Sequence, residues 1–221
     1  MVNLGEPFPN FTATTTIGEI DFHEWLGGSW AILFSHPADF TPVCTTELAR
    51  VVNLMPEFKR RGVKVIALSC DTVENHTGWI PDIKLYSKEC IDEFPYPIIA
   101  DPDRTLAVQL GMIDPDEKDT AGLPLTARAV YIIGPNKKLR LSILYPAIVG
   151  RNFDEILRVV DALQLTDKHS IATPVDWKPG QQVMVLPTVK DEEINDKFPK
   201  GITLVILSSG KNYMRKTPQP S

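Results

Sequence analysis

The sequence predicts an α/β fold, with a central mixed sheet flanked by helices and a small C-terminal lobe. Three observations predict it. Trp30–Ser35 is a continuous apolar run, the pattern of a strand buried on both faces, and Val63–Ser69, apolar but for Lys64, reads as a second buried strand. Helical stripes alternate with these strands, as in a sheet covered on both sides. After Leu165 the chain turns into short pieces punctuated by Pro174, Pro179, Pro187 and Pro199. A length of 221 residues allows one well-buried core and a smaller lobe. The expected division is 1–165 and 166–221.

In chain order, the turn-rich first 28 residues read as a hairpin or an irregular cap. The loop His36–Phe40 follows the first strand. Leu48, Val51, Val52, Met55 and Phe58 then form a helical stripe. Thr41 suits its N-cap, Pro42 its first position and Gly62 its stop, with a kink expected at Pro56. A helix over Val73–Tyr86 is expected to break near Pro81. Ile98–Ala100 reads as a strand, Thr105–Leu110 as a short helix, and acidic Asp114–Thr120 as a solvated connector. Strands Ala129–Ile133 and Lys138–Ile143 flank Gly134-Pro-Asn136, a hairpin turn. Asn152-Phe-Asp-Glu155 has the form of a capping box opening a helix to about Leu163. In the tail, Val183–Leu186 and Ile202–Ser208 read as strands, and Asp191–Phe198 as a short helix.

Composition removes several function classes. The net charge is −5 with no basic stripe, which disfavours nucleic acid as a partner. No apolar run is long enough to span a bilayer, and the N-terminus lacks the pattern of a secretory signal. Three cysteines, Cys44, Cys70 and Cys90, do not suggest a disulfide framework, so a reducing compartment such as the cytosol is expected. With no Cys-x-x-Cys pair and His23, His36, His76 and His169 scattered, no metal or other cofactor is expected.

Cys44 falls at the third helical position if Thr41 is the cap. First-turn amides have no intrahelical partner and the helix dipole is positive there, so thiolate is favoured over thiol. Thiolate chemistry on a peroxide also needs donors for the charge that develops on the leaving oxygen. The Thr41 hydroxyl lies one turn before Cys44 and can face it. Pro37 and Pro42 shape the loop and keep water away. A guanidinium is the natural remaining part, since it stays charged and offers a rigid fork of donors.

Pro37-Ala-Asp-Phe-Thr41-Pro-Val-Cys44 matches the Pro-x-x-x-Thr-x-x-Cys motif of the peroxiredoxins. The stretch Ser35–Leu48 resembles the 1-Cys, peroxiredoxin 6 type, as do Leu141–Pro146, Gly150–Arg158, Thr173–Trp177 and Thr217–Pro220. The resemblance implies a thioredoxin-like fold with a C-terminal lobe and a thiol peroxidase that reduces hydrogen peroxide and organic or lipid hydroperoxides. It carries Cys44 over as the peroxidatic cysteine and Thr41 as hydrogen-bond partner of peroxide and thiolate. Pro37 becomes the shielding loop residue, and Arg128 the active-site arginine. It further implies that His36 hydrogen-bonds the sulfur and that Glu47 and Arg151 orient Arg128. No cysteine follows Cys90, so an external thiol must recycle the enzyme. Glutathione, delivered by a glutathione transferase, is the implied reductant. A homodimer is implied, with larger rings open.

Three rivals stand beside this reading. The first is lipid acyl hydrolysis, also associated with that subfamily, through Gly27-Gly-Ser29-Trp-Ala31 and His23. Ala31 stands where an elbow needs glycine, and Asn136 where the proposed triad needs aspartate, so a poor phospholipase is expected. The second is a non-enzymatic redox sensor or chaperone using the same Cys44. The third, a cysteine hydrolase, has no signature here.

Overall fold

A computed structural model of the chain describes residues 2–221. The N-terminal stretch forms a hairpin, β1 (Thr12–Thr15) and β2 (Gly18–Asp21), then α1 (Phe22–Leu26), which Asp21 caps by accepting from the Glu24 amide. Next come β3 (Trp30–Ser35), α2 (Pro42–Arg60), β4 (Val63–Ser69), α3 (Val73–Ser87), β5 (Ile98–Ala100) and α4 (Thr105–Gln109). Four strands follow: β6 (Ile113–Lys118), β7 (Pro124–Thr126), β8 (Arg128–Ile133) and β9 (Leu139–Tyr145).

The main sheet has the order β2-β1-β5-β4-β3-β8-β9. β3 pairs in parallel with β4, and β4 with β5, while β8 runs antiparallel to both β3 and β9, so the sheet is mixed. Every residue of β3 and β8 is buried, the apolar stretches Trp30–Phe34 and Ala129–Ile133 together with the polar Ser35 and Arg128 at adjacent ends. Ala31 and Leu33 face a cluster with Phe22, Ile66, Leu68, Leu106 and Tyr131. The alternate residue Phe34 meets Tyr96 and Phe153 at ring distances of 6.1 and 6.0 Å. Each such side chain contributes roughly 1.5–3 kcal/mol by leaving water.

Because β8 is antiparallel to β3, the end of β3 and the start of β8 lie side by side. Ser35 fastens them: its Oγ donates to the Ala127 carbonyl at 2.6 Å and accepts the Ala129 amide at 3.1 Å. This places the first residue of β8, Arg128, beside the loop that leaves β3.

Two expectations are corrected. Asp114–Thr120 is not a mere connector, since β6 pairs with β7 in a two-stranded ribbon. None of its residues is buried, and they carry no hydrophobic alternation that could announce a strand. The helix over Val73 is not broken at Pro81; α2, where a kink is expected at Pro56, is one continuous helix with Pro56 inside. A proline removes one ladder bond, and the buried faces of these helices outweigh that loss.

Two compact units divide after Phe153. The second holds α5 (Phe153–Lys168) from Asp154 onward, so this helix clusters with the tail rather than with the sheet unit. It also holds β10 (Ile171–Ala172), β11 (Val183–Val185), a 3-10 turn at Asp191–Glu193, α6 (Ile194–Lys197), β12 (Thr203–Leu204) and β13 (Arg215–Thr217). Its sheet has the order β10-β11-β13-β12 over a core of Ala162, Ile171, Trp177, Val183, Val185 and Phe198. β10 and β13 are too short for a periodic signal, and Ile202–Ser208 yields only the two residues of β12.

Candidate active site

α2 starts at Pro42, so Cys44 is the third helical residue and is fully buried. Thr41 occupies the N-cap position without capping. Its hydroxyl donates to the Ala38 carbonyl at 2.8 Å. A hydroxyl has one proton, so in this geometry Thr41 does not donate to the sulfur as expected. Its lone pairs remain free to accept from a peroxide O–H. Pro37 is buried, whereas Phe40 is exposed and held at φ +54°.

Arg128 Nη1 donates to Cys44 Sγ at 3.3 Å and to Glu47 Oε2 at 2.8 Å. Its Nε donates to the Ala147 carbonyl at 2.7 Å. Glu47 stands one turn beyond Cys44 on α2, and Arg151 completes the cluster. The Arg151 backbone amide and Nε donate to Glu47 Oε1 at 2.7 and 3.0 Å, and Nη2 donates to Oε2 at 2.6 Å. Arg151 Nη1 also donates to the carbonyls of Ser35 and Ala129, both at 2.8 Å. Its guanidinium lies over Phe34 at 5.0 Å and Phe153 at 5.6 Å, where the ring faces attract the cation.

Each Glu47 oxygen thus takes two donors, and its acceptor capacity is full. Burial would raise its carboxyl, but the charge and hydrogen bonds of Arg151, with the charge of Arg128, outweigh burial and hold it below the usual range. With Cys44 as thiolate, the cluster has two negative and two positive groups. Such a pocket can hold a thiolate against a guanidinium and offer that guanidinium to a developing oxyanion.

The expectation for His36 is corrected. Its Nε2 lies 2.8 Å from Asp39 Oδ1, and its buried Nδ1 has no partner, so it makes no bond to the sulfur. Asp39 and His76, which the sequence reading did not single out, are buried here as well. They stand 37 positions apart with no shared motif, and no sequence signal joins them. His36, Asp39 and Asp71 place one ligand-type atom each within 4.8 Å of one another. Asp39 Oδ1 and Asp71 Oδ2 already serve hydrogen bonds within this group and to Ser69.

Cys70 is half-buried, and burial first, then the charge of Asp101, pushes its thiol up to about 12. Cys90 is exposed, and all three cysteines are free. Ser29 lies in the turn before β3, and the neighbouring His23 uses Nε2 on the Phe8 carbonyl at 2.9 Å.

A nucleophile-position cysteine at a helix start, hydrogen-bonded by a buried arginine on a thioredoxin-like sheet, defines a class of thiol enzyme. Residues 4–142 match the AhpC/TSA family and residues 162–201 the C-terminal domain of 1-Cys peroxiredoxin, and the chain belongs to this peroxiredoxin family. Peroxiredoxin-6 of Gallus gallus is 62% identical over 98% of this chain and 97% of its own length. Peroxiredoxin-6 of Homo sapiens is 61% identical over the same shares. A crystal structure of peroxiredoxin 6 of Arenicola marina, a cysteine-to-serine mutant, superposes with a TM-score of 0.97 at 59% identity, covering 100% of this chain and 99% of that one. A yeast mitochondrial 1-Cys peroxiredoxin, whose thiols resolve via glutathione/thioredoxin systems, gives 0.87 at 42% identity, covering 99% and 100%.

Proposed function

We propose that the chain is a thiol peroxidase that reduces hydrogen peroxide and organic hydroperoxides through Cys44. The observation that carries this reading is the 3.3 Å bond from Arg128 to the sulfur in the first turn of α2. The Cys44 thiolate attacks one peroxide oxygen, the O–O bond breaks, and the other oxygen leaves as alkoxide or hydroxide. Arg128 meets the negative charge on the departing oxygen, which takes a proton to become alcohol or water. Thr41 orients the peroxide by accepting its O–H, and Pro37 shields the loop. Glu47 and Arg151 fix the Arg128 fork. Cys44 is left as a sulfenic acid. A thiolate of glutathione displaces its oxygen as water, forming a mixed disulfide, and a second glutathione releases Cys44. A glutathione transferase is the candidate partner for delivery, and the cytosol the candidate compartment.

The test is peroxide consumption by the intact protein supplied with glutathione. Turnover supports the reading, and no consumption by a folded, fully reduced protein would refute it.

Overoxidation follows from the cysteine inventory. Cys70 is kept a thiol and Cys90 is exposed on a separate segment, so the sulfenic acid stays open to a second peroxide. Without reductant, excess peroxide should convert Cys44 to sulfinic and sulfonic acid. Mass spectrometry finding a rapid, complete Cys44–Cys90 or Cys44–Cys70 disulfide would contradict this.

Assembly is read from the sheet edge. β9 is terminal in the sheet, and residues 5–8 cover only its start, through bonds to Lys137 and Leu139. The rest offers an edge with Leu144 exposed, which pairing with a second copy would cover. A dimer mass is expected by light scattering at micromolar concentration, and a monomer mass would remove the proposal.

A further inference from the structure

Behind the Cys44 loop lies a buried array that the peroxidase reading leaves unused. Asp39 sits on that loop with its side chain 1% exposed, between two fully buried imidazoles. His36 Nε2 lies 2.8 Å from Oδ1, and His76 Nδ1, from α3, lies 2.6 Å from Oδ2. The other nitrogen of His76, Nε2, lies 3.1 Å from the Ile99 carbonyl on β5. A carbonyl only accepts, so Nε2 carries a hydrogen. Asp39 is a carboxylate: burial would raise it, but the hydrogen bonds of His36 and then His76 outweigh burial and lower it. His76 thus bridges the Asp39 carboxylate on the loop and the Ile99 carbonyl on β5.

The backbone on either side explains why this matters. The Asp39 amide donates to Asp71 Oδ2 at 3.0 Å, just after β4. The next residue, Phe40, is held at φ +54°, a conformation that side chains other than glycine rarely adopt. Phe40 is 57% exposed, so burial of its own side chain does little to hold it there. Such a backbone persists only where its surroundings over-determine it. The anchor is at Asp39, and the residue after Phe40 is Thr41, which leads into α2.

We propose that His76 is a positioning residue for the peroxide reaction: through Asp39 it fixes His36–Thr41 so that the Thr41 hydroxyl and the first-turn amides of α2 face the peroxide. The inference rests on the peroxidase reading above. It separates two reactions of Cys44. Alkylation needs only the thiolate, whereas O–O cleavage also needs the loop groups that hold the peroxide.

The experiment compares the rate constant for Cys44 oxidation by hydrogen peroxide with that for alkylation by iodoacetamide. His76→Leu is expected to lose about tenfold or more in oxidation, the scale of a misplaced reacting group, with alkylation nearly unchanged. His76→Asn keeps a donor at the Nδ1 position and should oxidise near the wild-type rate. His76→Gln keeps only the bond to Ile99 and should behave as the leucine variant does. It decides the matter if leucine prevents folding. Wild-type oxidation in the glutamine or leucine variant overturns the proposal. So does an equal loss in both reactions, or a loss in the asparagine variant as large as in leucine. A wild type that is alkylated yet inert to peroxide would overturn the peroxidase reading itself, and this inference with it.

Discussion

Replacing Glu47 with glutamine is expected to lower the stability of the sheet unit by about 3–5 kcal/mol at pH 7, the usual result of removing one partner from a buried ion cluster. The cause is local. Each Glu47 oxygen takes two donors from Arg128 and Arg151. A glutamine amide would put N–H groups against N–H groups and leave two buried guanidinium charges facing one neutralised partner. At roughly 2–4 °C per kcal/mol, thermal unfolding should move down by about 10 °C. The pH dependence has a definite sign. The folded Glu47 carboxyl lies below its ordinary value of 4.5. Its stabilisation is therefore full above about pH 4.5 and is lost as pH falls through the lower, folded value. Wild type and Glu47→Gln should differ most at neutral pH and converge in acid. The peroxide rate should also fall, by about a hundredfold, because Arg128 loses the group that aims it. Equal melting temperatures at pH 7 would show that Glu47 does not bind the two arginines as described.

Cys44→Ser should abolish peroxide consumption with any thiol reductant, while Cys70→Ser and Cys90→Ser keep most of it. A serine hydroxyl stays protonated at neutral pH and is a weak nucleophile without a general base. Among the described residues, none of the contacts around Sγ supplies a base: Arg128 donates to it, and the Glu47 carboxylate is saturated with donors. Cys70 cannot substitute, since its thiol is pushed up to about 12. Fold should survive in all three variants, checked by circular dichroism. Loss of turnover in the Cys70 or Cys90 variant, with the fold intact, would refute the one-cysteine mechanism.

Much of this was legible in the sequence because it is written locally. The short, mostly apolar runs of β3 and β4 read as buried strands, and Pro37, Thr41 and Cys44 lie within eight residues. Arg128, Glu47 and Arg151 were named by resemblance, and they do converge, but no spacing rule joins groups separated by 81 and 104 positions. What stayed hidden has physical reasons. The β6 strand has no buried residue and so no alternation. The direction of the Thr41 proton and the turn of the His36 ring depend on neighbours, the Ala38 carbonyl and Asp39, whose geometry no pattern encodes. His76 is a polar residue on a weakly patterned helix, and only the fold reveals that its two nitrogens meet Asp39 and Ile99.

The scattered origin of the charge cluster has a consequence for biosynthesis. The nucleophile lies on α2, but the guanidiniums that surround it come from β8 and from the segment before α5. At translation speeds of about 5–20 residues per second, roughly 5–20 s pass between synthesis of residue 44 and of residue 151. During that interval the nascent chain lacks the complete pair of arginines that surrounds Cys44 in the finished fold. On the peroxidase reading, full reactivity toward peroxide is expected only once the fold is complete, so an unfinished chain is expected to be less prone to that oxidation.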